Sequence, residues 1–131
     1  MKPKNFENPK AEGYRDLVVW QKGIALAKLI YLLTKSFPAE EKFGLISQMR
    51  RAAVSISSNI AEGHSRGQTK DLIRFLAISR GSVSELETQL IIAEKLGYIQ
   101  RQQLASVVSM LDEESRMLAG LRRSLKLKLS K

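Results

Sequence analysis

The sequence predicts an all-α protein, an antiparallel up-down-up-down four-helix bundle. Three observations predict it. Only three prolines occur, Pro3, Pro9 and Pro38, and none falls inside a long periodic run. Proline breaks helix interiors, so this placement leaves four uninterrupted segments free to coil. In each segment apolar residues recur every three and four positions, the spacing that lines one helical face. Short polar connections separate the segments, and short connections make successive helices antiparallel neighbours.

Residues 1–14 are polar, with Pro3, Asn5, Asn8, Pro9 and Gly13, and read as a flexible N-terminal arm in which Phe6 or Tyr14 touches the body. The first helix is expected from Asp16, a good N-cap, to Ser36, with Pro38 ending it. It carries two apolar seams: Val19, Gly23, Leu26, Ile30, Leu33 and Phe37, then Trp20, Ile24, Ala27 and Tyr31. The second helix is expected from Glu41 to Ala61 or Gly63, with Met49, Ala53, Ile56 and Ile60 inward and small polar residues elsewhere that let another backbone approach. Gly63 reads as its left-handed C-terminal cap, and 64–68 as a polar loop.

The third helix is expected from Thr69, whose hydroxyl caps it, to just before Gly97. Its stripe is Leu72, Leu76, Ser79, Val83, Leu86, Leu90 and Ala93. A second stripe, Phe75, Ile78, Ser82, Glu85, Gln89, Ile92 and Leu96, is apolar at its ends and polar between. Gly81 sits mid-helix, where glycine costs about 1 kcal/mol against alanine, and reads as a close backbone approach or, alternatively, as a tolerated surface glycine. The fourth helix is expected from Arg101 to Leu125 or beyond, with 15–125 the bundle and 126–131 a fraying basic tail. Its stripe is Leu104, Val107, Leu111, Glu114, Leu118, Leu121 and Leu125, while Asp112, Glu113 and Glu114 together read most simply as a solvated acidic face.

Composition narrows function mainly by exclusion. The 131 residues are 44% hydrophobic and 27% charged, ordinary for one globular domain. With no cysteine, disulfides and thiol chemistry are excluded, and a cytoplasmic location is expected. No apolar run approaches the roughly 20 residues that span a bilayer, and no secretory signal opens the chain. His64 is the single histidine and reads as an exposed loop residue. A helical-bundle di-iron site needs Glu-x-x-His on facing helices, and a catalytic triad needs a nucleophile beside its base. Neither is visible, so no catalytic residue, no metal ligand and no cofactor is expected, and the protein is expected not to be an enzyme.

The net charge of +9 is the unusual feature. It favours a polyanionic partner, RNA or DNA. Candidate phosphate-binding residues are Arg50, Arg51, Arg66, Lys70, Arg74, Arg116, Arg122 and Arg123. The guanidinium fork matches phosphate with two parallel hydrogen bonds. Aromatic residues are only 6%, so a base-stacking platform is not expected and binding should be non-specific. A second candidate set, Asn59, Glu62, Ser82, Glu85 and Gln89, reads as a polar seam that specifies register or oligomer pairing. The surplus apolar seams of the first and third helices point to a homo-oligomer or another protein partner.

Several segments carry a family resemblance. They are Tyr14-Arg15-Asp16-Leu17-Val18-Val19-Trp20-Gln21-Lys22, Gln48-Met49-Arg50-Arg51-Ala52-Ala53-Val54-Ser55-Ile56 and Ser58-Asn59-Ile60-Ala61-Glu62-Gly63. With them go Arg74-Phe75-Leu76, Gly81-Ser82 and Glu85-Leu86-Glu87-Thr88-Gln89-Leu90. Together these resemble the bacterial 23S rRNA intervening sequence proteins, over about 14–125. The resemblance implies a small four-helix bundle, and a relationship to the accessory protein of diversity-generating retroelements, a basic, barrel-like pentamer that binds reverse transcriptase and nucleic acid. By resemblance the chain is therefore expected to form a ring-like homopentamer. The family name records a gene location rather than an activity.

Overall fold

The computed structural model describes residues 13–130. They form four helices and no strand: α1 (Val18–Thr34), α2 (Leu45–Ser65), α3 (Thr69–Lys95) and α4 (Arg101–Leu129). The expected arm, apart from Gly13 and Tyr14, lies outside the described residues, as does Phe6.

The expected stripes are the core. Met49, Ala53, Ile56 and Ile60 of α2 are wholly buried, as are Leu72, Leu76, Leu86 and Leu90 of α3 and Leu111, Leu118 and Leu125 of α4. On α1 the first seam is inward (Val19, Gly23, Leu26, Ile30), with Phe37 buried beyond its end. The second seam is split: Trp20 and Ala27 are half-buried against the core, while Ile24 and Tyr31 are exposed. α2 packs on α1 and α3, α3 on α4, and α4 returns to α1. Facing positions are set by small residues. A Cβ on Gly23 would stand 3.1 Å from the Ser57 Cβ, so α1 and α2 meet where both side chains are minimal.

The helix ends differ from expectation for local reasons. α1 starts at Val18, because Tyr14–Asp16 closes a 3-10 turn that delivers Leu17 to the core. α2 starts at Leu45 rather than Glu41. Ala39–Glu41 forms a 3-10 turn, and Glu41 Oε1 accepts the Leu45 backbone N–H at 3.0 Å. This side chain therefore does the capping work. Thr69 is the first residue of α3 and not its cap; Gln68 occupies that position. α4 continues through the expected tail to Leu129, with Lys126 and Lys128 in its last turn.

Gly63 is not a cap. It is buried inside α2, which runs on to Ser65, and a Cβ there would meet the Phe75 Cβ at 2.6 Å and the Leu72 Cα at 3.2 Å. The left-handed glycine of this turn is Gly67, φ +76°, which shortens the connection to three residues, 66–68. Gly97, φ +82°, ends α3 as expected. Gly81 has open space around it, so no backbone approaches it.

Candidate nucleic-acid interface

The positive charge is gathered at one pole. Its frame comes from packing around the α2–α3 turn. Gly63 lets α2 close against Leu72 and Phe75, which holds the first turns of α3 beside the last turn of α2. Arg122 of α4 donates from Nε to the Ile73 carbonyl at 3.0 Å, tying the C-terminal half of α4 to the same place. Tyr14 reaches it from the other side, its ring 5.5 Å from Trp20 and 6.5 Å from His64. His64 is thus half-buried in the last turn of α2, not exposed in a loop.

Four of the expected cations, Arg66, Lys70, Arg74 and Arg122, gather here. The Arg66 and Arg74 guanidinium carbons lie 4.8 and 4.7 Å from the centroid of the Phe75 ring. Arg66 also bonds Glu62 at 2.9 Å, and Arg74 stands 3.8 Å from Asp71. Both pairs are solvent-exposed and add little stability, but with the ring they restrict where the two forks point. Lys70 lies exposed on the same first turn of α3. Arg122 joins through Ile73, with Arg123 exposed one position on and Arg116 nearly two turns before.

The pole begins beyond the level where Lys22 pairs with Glu113 and Arg80 donates to Ser115. From there to the turn stand Arg15, Arg66, Lys70, Arg74, Arg116, Arg122, Arg123, Lys126 and Lys128 against Asp16, Glu62 and Asp71. The remaining described residues are close to charge balance. Phosphates approaching this pole meet a concentrated field and several forks already oriented. Arg15, Lys126 and Lys128 are additions to the expected set. The helical extension of α4 is what brings Lys126 onto the face of Arg122 and carries Lys128 to the same end, and no capping signal in the sequence marks where that helix stops.

Arg50 and Arg51 are not part of the pole. Arg50 is half-buried between α1 and α2. Its Nε donates to Thr34 Oγ1 at 2.9 Å, its Nη2 to the Tyr31 carbonyl at 3.3 Å, and its guanidinium lies 4.5 Å from the Tyr31 ring. It joins two helices. Arg51 is exposed and lines an open groove of about 610 Å³ with Tyr31, Phe43, Ile46 and Val54.

The polar seam is likewise dispersed. The Ser82 hydroxyl meets that of Ser55, and Asn59 donates to the Ser55 carbonyl at 2.8 Å. Glu62 turns to Arg66, and Glu85 is exposed. Gln89 is buried with no hydrogen-bond partner for Oε1. These groups do not face one another as a network.

Glu114 is the departure in chemistry. It belongs to the inward stripe and is wholly buried, not part of a solvated face. Neither carboxylate oxygen has a hydrogen-bond partner. Burial pushes its pKa up to about 8; the Lys22 charge lowers it in part, and Glu113 raises it. Among the described residues no group of three His, Cys, Asp or Glu side chains is placed to hold a metal, and no helix is long and apolar enough to cross a membrane.

The chain matches the family described as 23S rRNA-intervening sequence protein over residues 15–120. Among solved structures it is similar to a protein of unknown function from the S23 ribosomal protein family of Bacteroides thetaiotaomicron. That likeness has a TM-score of 0.75 and 29% identity, covering 81% of this chain and 96% of the other. No curated protein matches.

Proposed function

We propose, for a chain that belongs to the 23S rRNA-intervening sequence protein family, that it is a non-catalytic bundle that binds RNA or DNA through phosphates at its basic pole. The observation that carries this reading is the convergence of Arg66, Lys70, Arg74 and Arg122 on one end of the bundle. The contacts are to backbone charge, so binding is insensitive to sequence. Placement in the cytoplasm goes with a chain that has no cysteine.

In this reading the helices run up-down-up-down. The pairings support it: Gly23 faces Ser57 while Thr34 faces Arg50, Ser79 donates to the Ile56 carbonyl while Gly63 faces Leu72, and Arg80 meets Ser115 while Ile73 meets Arg122. In each pair the numbers rise on one helix as they fall on the next.

A second reading, a protein-interaction adaptor, is favoured by one observation. Phe43 is 88% exposed, and Tyr31, Val54, Ile78, Ile92 and Leu96 are also exposed. A ring-like homopentamer or another protein would cover such a surface.

Fluorescence anisotropy with labelled RNA and DNA of mixed sequence separates these readings. Six to ten phosphate contacts lower affinity by about 10³–10⁵ between roughly 50 and 200 mM salt. The polyanion reading expects such a fall. No binding at the lower salt overturns it and leaves the adaptor.

A further inference from the structure

The seam between α1 and α4 is built unlike the other three. It opens into a cleft at each end. One, of about 300 Å³, lies between Leu17, just before α1, and Val19 on one side and Met117 and Leu121 of α4 on the other. The other, of about 370 Å³, lies between Leu29 and Leu33 and Gln103 and Val107. Between them the helices are bridged by the exposed Lys22–Glu113 ion pair at 3.3 Å. Directly after Glu113 comes Glu114, 0% exposed, with both oxygens unpartnered.

A carboxyl so placed has two states. Kept in the core it is neutral, because a charged carboxylate without partners is very costly there. Released to water it ionises in the ordinary carboxylate range. The surrounding elements supply little to change this. α1 offers Lys22, which already pairs with Glu113. The nearest charged group of α3, Arg80, donates to Ser115. The buried residues of α2 are all uncharged. On α4 itself Glu113 adds repulsion.

We propose that Glu114 is a proton latch on the α1–α4 seam: its neutral carboxyl keeps the seam closed, and giving up the proton opens it between the two clefts. The closed form holds its proton up to about pH 8. The open form loses it near the ordinary carboxylate value of 4.5. Between these limits the closed state binds one more proton than the open state, so the opening constant rises about tenfold per pH unit as pH increases. Above the upper limit the rise stops.

Amide hydrogen exchange of the full chain at pH 6 and pH 8, divided by the intrinsic exchange rate at each pH, tests this. The expected result is about a 50-fold rise in opening for amides of α1 and α4 facing the seam, since the tenfold-per-unit linkage falls off as pH reaches the upper limit. α2 and α3 change less, and in Glu114→Gln the rise disappears. An equal rise in Glu114→Gln, or an equal rise in all four helices, overturns the latch. Should Glu114→Gln fail to fold, the wild-type chain with ¹³C-labelled glutamate decides. One side-chain carboxyl titrating near pH 8 supports the latch, and all of them titrating in the ordinary range overturns it.

Discussion

At the scale of single residues the molecule turns on contrasts between like residues in unlike places. Gly63 and Gly81 are both helical glycines. A methyl at Gly63 enters the Phe75–Leu72 contact, whereas one at Gly81 meets nothing. Gly63→Ala is therefore expected to destabilise by about 1–3 kcal/mol through overpacking. Gly81→Ala is expected to stabilise by about 1 kcal/mol through helix propensity. Denaturant unfolding of the two variants checks both signs. The sequence reads Gly63 as a cap and leaves Gly81 between a close contact and a surface position, whereas Gly63 is the close contact and Gly81 the open one. Nothing in the local pattern reveals that the chain turns at Gly67 instead. Glu114 is misread for a related reason. It stands beside Asp112 and Glu113, and its neighbours suggest solvent while its stripe position suggests core. The stripe prevails because Leu111 and Leu118 fix the face. Folding at pH 7 must then protonate a group whose unfolded pKa is near 4.5, a cost of about 3 kcal/mol by linkage. Glu114→Leu is expected to regain much of that at pH 7 and little below the ordinary carboxylate range, which thermal unfolding at the two pH values checks.

At the scale of elements, the main inward stripes are legible. Every position of the α3 stripe from Leu72 to Ala93 is buried, because a strict four-and-three rhythm admits one inward face. The ends were less so, since they depend on contacts distant in sequence. The start of α2 is the clearest case. Glu41 caps Leu45 and accepts a hydrogen bond from the Tyr98 hydroxyl at 2.8 Å, linking the α1–α2 and α3–α4 connections. The bond from Leu45, then that from Tyr98, holds the Glu41 carboxyl below its usual range, and Glu41 in turn raises the Tyr98 phenol. The bonds act on the charged carboxylate, so their contribution is present at neutral pH and lost as pH falls through that lowered range. In Glu41→Gln the Tyr98 titration, followed by ultraviolet absorbance, is expected to move down towards the ordinary phenol value. The first turn of α2 is expected to exchange its amides faster.

At the scale of the whole molecule, the sequence yields the sum of charge but not its distribution. Arg50-Arg51 looks the strongest phosphate motif in one dimension. In three, Arg50 joins α1 to α2 through Thr34 and Tyr31, while Arg66, Lys70, Arg74 and Arg122, spread over 57 positions of sequence, share one pole. Charge patterning becomes a surface only after Gly63 and Arg122 have set the packing. The exposed apolar residues belong to the same scale. If copies of the chain cover Phe43, Phe43→Asp is expected to lower the mass seen by light scattering at fixed concentration while helix content is unchanged. A single mass for both proteins, equal to one chain, contradicts an assembly built on that surface.

The central claim is that the pole around the α2–α3 turn, and not the Arg50–Arg51 pair, meets phosphate. The most direct test is the salt dependence of RNA affinity for the wild-type chain, for Arg66→Ala/Lys70→Ala/Arg74→Ala and for Arg51→Ala. Each phosphate contact contributes about 0.7 to the slope of log affinity against log salt on a single strand. The pole variant is expected to lose about 2 from that slope and most of its affinity at low salt, while Arg51→Ala stays close to wild type. An unchanged slope in the pole variant, or a larger loss in Arg51→Ala, contradicts the account.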